Sequence, residues 1–97
     1  MRLVVWSQDA LGDFTKSMVY LAAANRRAAE LVADRVEETA NQLGDMAIGY
    51  PGRVRNTYEK RVLKTEYIIA YAVAAKQITI LRVIHMKRDW PEGEWPE

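Results

Sequence analysis

The stretch YIIAYAV at residues 67–73 decides the fold of this chain. It is almost continuously apolar, it is rich in β-branched and aromatic residues, and its length is typical of a strand. A strand with one face in solvent would alternate apolar with polar side chains, and this stretch does not. The sequence therefore predicts a central strand of a sheet here.

Further strand patterns lie on both sides of this stretch. Residues 57–63 alternate loosely between polar and apolar side chains, and residues 77–84 alternate more regularly. The second pattern predicts that Arg82 shares one face with the isoleucines of its strand. A turn at residues 74–76 would join this strand to the central one. The opening Leu-Val-Val-Trp at residues 3–6 predicts the first strand.

Two helices are predicted between the first strand and the rest of the sheet. Ser7 is a candidate N-cap, and the apolar positions of residues 11–22 follow helical spacings of three and four. Asn25 ends this helix and can cap the next one. The helical period then continues to Gly44, a natural C-terminal stop. Two helices joined so closely form an antiparallel hairpin.

The predicted order is β-α-α-β-β-β, which is an α+β fold. A helical hairpin would pack on one face of a mainly antiparallel four-stranded sheet, and the other face must be solvated or bind something. The 97 residues are expected to form one domain. Within it, residues 1–48 hold the first strand and the hairpin, residues 49–88 the rest of the sheet, and residues 89–97 an acidic tail without regular structure.

Composition excludes several classes of protein. The chain has no cysteine, so neither a disulfide framework nor a thiolate metal site is expected. No uncharged run approaches the roughly 20 apolar residues of a membrane-spanning helix. The apolar start is too short for a signal peptide. We therefore expect a protein of the reducing cytoplasm that does not contact the membrane.

Charge is distributed unevenly along the chain. The net charge of +1 is the sum of −2 in residues 1–48, +7 in residues 49–88 and −4 in residues 89–97. A basic sheet with interleaved tyrosines can bind phosphates and stack bases, and it can equally bind an acidic protein segment. The simplest alternative is a solvated face with ordinary lysines and arginines.

Residues suited to catalysis are few. The chain has one histidine, two serines and no cysteine, so we expect no catalysis by a nucleophile and a base. No spacing suggests a metal site, and no glycine-rich phosphate loop is present. His85 is the one candidate for acid–base chemistry near neutral pH. RNA cleavage without a metal needs a base that takes the 2′-hydroxyl proton and cations that stabilise the phosphate. His85 could be this base, and Arg61, Arg82 and Arg88 could be the cations. The alternative is a histidine that ends a strand and hydrogen-bonds a backbone carbonyl.

The three tryptophans are expected to lie in different environments. Trp6, at a strand end, is expected in the core. Trp90 is expected to fold back onto the domain. Trp95 either folds back as well or anchors a partner.

The ordered set of motifs resembles the RelE/ParE toxin superfamily of bacterial type II toxin–antitoxin systems, and its ParE branch most closely. The similarity lies in residues 5–13, in Pro-Gly-Arg at 51–53, in Thr-Tyr-Glu at 57–59, and in the central strand at 67–71. The most specific part is residues 80–91, which end in Arg-Asp-Trp-Pro. Met86 departs from the small residue that the family usually has after its histidine.

This resemblance implies a toxin that a cognate antitoxin holds inactive in a hetero-oligomer. A ParD-like antitoxin with a ribbon-helix-helix DNA-binding part is expected, and it is predicted to cover the helical hairpin and part of the sheet. ParE-like toxins are associated with inhibition of DNA gyrase and blocked replication, which implies binding without a catalytic residue. The alternative is a RelE-like, ribosome-dependent mRNA endonuclease that uses His85, Arg61, Arg82 and Arg88. A second alternative is a non-toxic module that binds an antitoxin.

The candidate target-binding residues are the following: Arg53, Arg55, Lys60, Arg61, Arg82, Lys87, Arg88 and Trp90.

Overall fold

A computed structural model describes residues 1–96 of the chain, so Glu97, the last residue of the predicted acidic tail, lies outside the described residues. The elements are β1 (Leu3–Trp6), α1 (Gln8–Ala24), α2 (Arg26–Asp45), β2 (Tyr50–Pro51), β3 (Tyr58–Arg61), β4 (Tyr67–Val73) and β5 (Gln77–His85). The predicted α+β fold of a helical hairpin on a sheet is confirmed.

The strands form one sheet in the order β1-β5-β4-β3-β2, so β4 is its central strand. Strand β1 pairs with β5 in parallel, with Val4 opposite Ile78, and the other neighbours are antiparallel. The parallel pair is possible because the helical hairpin carries the chain back to the start of the sheet. The sheet has one strand more than predicted, because Tyr50–Pro51 is too short to show an alternating pattern.

Both predicted helix caps are confirmed. Ser7 Oγ accepts a hydrogen bond from Ala10 N (3.0 Å), and Asn25 Oδ1 accepts one from Ala28 N (3.1 Å). Each side chain thereby satisfies a backbone N–H of the first helical turn that has no partner within its helix.

Gly44 has a different role from the predicted helix stop. Helix α2 continues through it to Asp45, and Gly44 O accepts a hydrogen bond from Arg2 N (2.7 Å). A Cβ on Gly44 would lie 2.7 Å from Arg2 O and 2.9 Å from a methyl group of Val4. Glycine is therefore required here because strand β1 passes directly against the helix.

The core lies between the helices and the sheet. Helix residues Val36, Ala40 and Leu43 are buried against the strand residues Ile69 and Tyr71. Trp6 packs against this core, as expected, and lies 5.5 Å from Phe14, centroid to centroid.

Tyr71 is fully buried in this core cluster, and its hydroxyl accepts a hydrogen bond from Gly49 N (2.7 Å). Burial raises the pKa of Tyr71 above its ordinary value. A neutral phenol is the form that an apolar core favours.

A β-bulge changes the faces of strand β5. The pairing shifts between Ala70 and Tyr71, so that Tyr71 lies opposite Ile80 while Ala70 lies opposite Arg82. Because the bulge adds one residue to β5, the alternation reverses beyond it. The prediction that Arg82 shares a face with all the isoleucines of its strand is therefore wrong, since Ile80 faces the helices and Arg82 occupies a position on the other side.

Within residues 1–96, neither helix is long and apolar enough to cross a membrane.

Candidate functional site

The sheet face that points away from the helices is the first feature of the site. We call it the outer face, and define it by Glu59, Arg61, Ile68, Ala70 and Ile84, which occupy paired positions on β3, β4 and β5. None of these residues belongs to the core cluster on the helix side. Strands expose alternate side chains to opposite faces, so this set faces away from the hairpin.

An arginine, a glutamate and a tryptophan meet on the outer face. Arg53 N donates a hydrogen bond to Glu59 Oε2 (2.7 Å), and Arg53 Nε lies 3.8 Å from Glu59 Oε1. The Arg53 guanidinium carbon lies 3.8 Å from the centroid of the Trp90 ring, within the range of a cation–π contact. Glu59 is only 7% exposed. A buried carboxylate requires such partners, so this cluster fixes the loop before β3 against the strand.

The chain after β5 folds back over the outer face. Ile68, Ala70 and Ile84 are buried, although both helices pack on the opposite side of the sheet. Met86 borders the same pocket as Arg53, Arg61 and Ile68, and Trp90 lies on Arg53. The expectation that Trp90 folds back is therefore confirmed, and residues 89–96 contain neither helix nor strand, as predicted for the tail.

Trp95 also folds back, which resolves an alternative that the sequence left open. The indole nitrogens of Trp90 and Trp95 are both buried and have no acceptor among residues 1–96, and Pro96 is buried as well. A buried donor without an acceptor costs about 1–3 kcal/mol. Burial of the tail is thus offset in part by its two indole N–H groups.

Arg82 is held by a residue of the first helix. Its Nε and Nη2 donate hydrogen bonds to the two carboxylate oxygens of Asp13 at 2.7 and 3.2 Å, and Val83 N donates to the same carboxylate at 3.0 Å. The hydrogen bonds from Arg82 to Asp13 raise the pKa of Arg82 above its ordinary value. Asp13 thus accepts a hydrogen bond from the backbone N–H of Val83 at the edge of β5, beyond the point where β1 ends. It also binds the guanidinium of Arg82, which was predicted to bind a target.

His85 has partners at both ring nitrogens. Its Nε2 lies 3.0 Å from Glu66 Oε2, and its Nδ1 accepts a hydrogen bond from Lys87 N (3.1 Å). These partners assign the tautomer with the proton on Nε2. Its ring also lies edge-on to Tyr67, with 5.2 Å between centroids. The prediction of a backbone carbonyl as partner is wrong, because the backbone partner is the N–H of Lys87 and the second partner is the carboxylate of Glu66.

Lys87 completes this small cluster. Its ammonium lies 3.4 Å from Glu66 Oε1, and it is the main cause that lowers the pKa of Glu66. Lys87 is therefore engaged both through its side chain and through its backbone N–H to His85.

A mixed-charge cleft brings part of the predicted catalytic set together. It has a volume of about 390 Å³, and Arg82, His85 and Arg88 line it together with Asp13 and Lys16 of α1. Arg61 is not part of it. Arg61 lies opposite Ile68, whereas His85 lies opposite Tyr67, and consecutive residues of a strand face opposite ways. The sheet therefore separates Arg61 from His85.

The remaining predicted residues are dispersed. Arg55 is exposed in the loop before β3. Lys60 lies opposite Ile69, on the helix side, and borders a separate pocket with Leu43 and Met46. The predicted residues thus form no single cluster, but Arg53 and Arg61 share the outer face with Trp90.

Sequence reasoning missed three carboxylates that organise the site, Asp13, Glu59 and Glu66. Two of them, Asp13 and Glu59, lie inside the motifs that carry the family resemblance, and this was the available signal. Within the described residues, no group of three or more His, Asp or Glu side chains is arranged to hold a metal ion.

Comparison with solved structures concerns the fold. A chain from the "Chromosomal ParDE TA system from P. aeruginosa" has a TM-score of 0.80 and 20% identity to this chain, covering 90% of this chain and 98% of that chain. At this level of identity the likeness shows that the two chains share a fold.

Two sequence relatives match nearly the whole of this chain. The protein Y4kP of Sinorhizobium fredii is 30% identical over 88 residues, covering 90% of this chain and 91% of that protein. "Toxin RelE2" of Caulobacter vibrioides is 33% identical over 91 residues, covering 91% of this chain and 99% of that protein.

The family model described as "ParE toxin of type II toxin-antitoxin system, parDE" matches residues 4–90. The chain belongs to the ParE toxin family, so the resemblance found in the sequence is confirmed. It is a toxin of a type II toxin–antitoxin system, and its partner is a cognate antitoxin.

Proposed function

We propose that this toxin acts in the cytoplasm by binding DNA gyrase and blocking replication. Membership of the ParE family supports a gyrase target. The observation that carries the proposal is the state of His85: both ring nitrogens have partners, and Arg61 lies on the other side of the sheet. A general base needs an unoccupied ring nitrogen within reach of the proton it removes. The geometry thus favours action by binding.

Exposed cations are the proposed contacts to the gyrase–DNA complex. Arg55, Arg61 and Arg88 are exposed, and none of them has an ion-pair partner within residues 1–96. Arg53 and Lys87 remain proposed contacts through the exposed parts of their side chains. Arg82, held by Asp13, would contribute mainly by keeping β5 in place.

A supercoiling assay with purified gyrase tests this proposal. The wild-type toxin at micromolar concentration should inhibit supercoiling and increase cleaved DNA, and the cognate antitoxin should reverse both effects. Arg61→Ala should raise the half-inhibitory concentration roughly tenfold, the effect of losing about 1.4 kcal/mol of binding. Arg27→Ala, an exposed arginine of α2, is the matched control. Normal supercoiling with wild-type toxin would refute the proposal.

The antitoxin is proposed to be ParD-like, with a ribbon-helix-helix part, and to cover the hairpin. The hairpin exposes Leu11, Val19, Tyr20 and Leu31, and exposed apolar side chains of this size suit a partner. Hydrogen exchange should slow along α1 and α2 when antitoxin is added. Protection confined to residues 44–52 would contradict this surface.

A second candidate function is cleavage of mRNA on the ribosome. The relative named "Toxin RelE2" and the cleft that joins Arg82, His85 and Arg88 favour it. Primer extension on translated mRNA distinguishes it from the first proposal. Wild-type cleavage that is lost in His85→Ala would support it, whereas no cleavage by the wild type would exclude it.

A non-toxic module that only binds antitoxin is the third possibility from the sequence. Induced expression in a host without antitoxin separates it from both active functions, because normal growth would contradict them.

A further inference from the structure

The acidic tail is the present occupant of the outer face. Trp90 lies on the Arg53 guanidinium at 3.8 Å, and Pro96 is buried. Beneath this region Ile68 and Ile84 are buried on a face that no helix covers. An aromatic side chain of the chain's own tail therefore already binds Arg53 on this surface.

Aromatic contacts rather than ion pairs hold the tail in place. Asp89, Glu92 and Glu94 are exposed, and within residues 1–96 none of them lies within 4.0 Å of a basic group. They contribute only the longer-range attraction between a segment of net charge −4 and one of net charge +7. This attraction is screened by salt, whereas the stacking of Trp90 on Arg53 is short-ranged.

The surface below the tail is preformed. Glu59 holds Arg53 in position: it accepts a hydrogen bond from the backbone N–H of Arg53, and its carboxylate lies near the Arg53 guanidinium. The nearby pocket, of about 260 Å³, is lined by Tyr50, Arg61 and Ile68 among others. Removal of the tail would leave an apolar strip flanked by two arginines.

The bound tail leaves hydrogen-bonding capacity unused. The indole N–H groups of Trp90 and Trp95 are buried without an acceptor among residues 1–96. A competing segment that places its indole on Arg53 and also supplies acceptors would bind better than the tail does.

We propose that the outer face is a binding site for an extended acidic peptide segment that contains a tryptophan, supplied by a partner protein. The chain's own tail occupies this site and must be displaced. Arg53 is the residue that recognises the tryptophan ring, and the apolar strip of Ile68, Ala70 and Ile84 receives the rest of the segment.

Peptide binding to full-length variants tests this inference. The probe is a fluorescein-labelled peptide with the sequence of residues 88–97, and binding is followed by anisotropy. Trp90→Ala combined with Trp95→Ala releases the tail while the surface stays intact. A short tether supplies an effective concentration in the millimolar range, so the peptide should bind this released variant roughly tenfold more tightly than wild type.

The role of Arg53 is tested in the released variant. Arg53→Gln keeps the backbone bond to Glu59 and removes the cation, so it should weaken peptide binding about tenfold. Arg27→Gln, which removes the same charge from α2, should have no effect. Equal binding to the released variant and wild type would overturn the proposal, and so would equal losses in the two arginine variants.

A second measurement uses the wild-type chain and covers the case in which the released variant does not fold. Excess unlabelled peptide should shift the indole N–H signals of Trp90 and Trp95 in nitrogen-15 NMR spectra and leave that of Trp6 unchanged. Unchanged signals at millimolar peptide would overturn the proposal. Neither measurement contains gyrase or mRNA, so the result is independent of the proposed function.

Discussion

The carboxylate of Asp13 on α1 binds the guanidinium of Arg82 on β5 through two hydrogen bonds, across a separation of 69 residues. The same carboxylate accepts the N–H of Val83. One acidic side chain thus attaches the first helix to the last strand and satisfies the strand edge. The side chain of Asp13 is 18% exposed and that of Arg82 is 14% exposed, so both ends of this ion pair are largely shielded from solvent.

Replacing Asp13 should destabilise the fold. Asp13→Ala leaves the shielded guanidinium of Arg82 and the N–H of Val83 without their acceptor, so we expect the free energy of unfolding to fall by about 2 kcal/mol. Urea denaturation measures this as a lower midpoint with an unchanged slope. Asp34→Ala, at an exposed position of α2, should change stability by less than about 0.5 kcal/mol. Equal effects of both substitutions would contradict the role of Asp13.

Two helical glycines should respond in opposite directions to the same change. Gly44→Ala introduces a Cβ against the backbone of Arg2, and we expect a net loss of about 1–2 kcal/mol despite the better helix propensity of alanine. The new Cβ of Gly12→Ala would meet no atom within 4 Å beyond its chain neighbours and the backbone of its own helix, so this change should stabilise α1 by up to about 1 kcal/mol. Thermal or urea unfolding of the two variants side by side decides this, and a stabilising Gly44→Ala would show that β1 can move away.

The hydroxyl of Tyr71 should contribute measurably to stability. Tyr71→Phe leaves Gly49 N without its acceptor in a partly buried position, which should cost about 1–2 kcal/mol. Tyr58→Phe is the matched control, because Tyr58 stacks on Tyr71 with 5.7 Å between centroids and its ring is more exposed. Chemical denaturation should detect a loss only in the first variant.

The pKa of Glu66 should depend on Lys87. The ammonium of Lys87, and to a lesser degree His85, lowers this pKa in the folded state. A lowered folded pKa means that ionised Glu66 adds stability above its unfolded pKa and loses it as pH falls through the folded value. Lys87→Met should raise the pKa of Glu66 toward its ordinary value in a carbon-13 NMR titration. Lys76→Met, in the turn before β5, should leave it unchanged.

Local sequence patterns alone determined much of this protein. The bounds of β4 match the apolar stretch at residues 67–73, and the caps Ser7 and Asn25 act where the sequence placed them. Helix periodicity, caps and strand alternation depend on neighbours within a few residues, and this is why they can be read from the sequence. The family motifs also indicated that the protein is a toxin of the ParE type.

Only the tertiary structure decided how the site is arranged. The bulge opposite Ala70 and Tyr71 places Arg82 on a different face of the sheet from Ile80. The alternating pattern of β5 alone does not show this bulge. The contacts of Asp13 with Arg82 and of Trp90 with Arg53 join segments far apart in the chain. Such contacts depend on strand register and on how separate elements pack, so the sequence placed the charges and aromatic rings but the fold selected their partners.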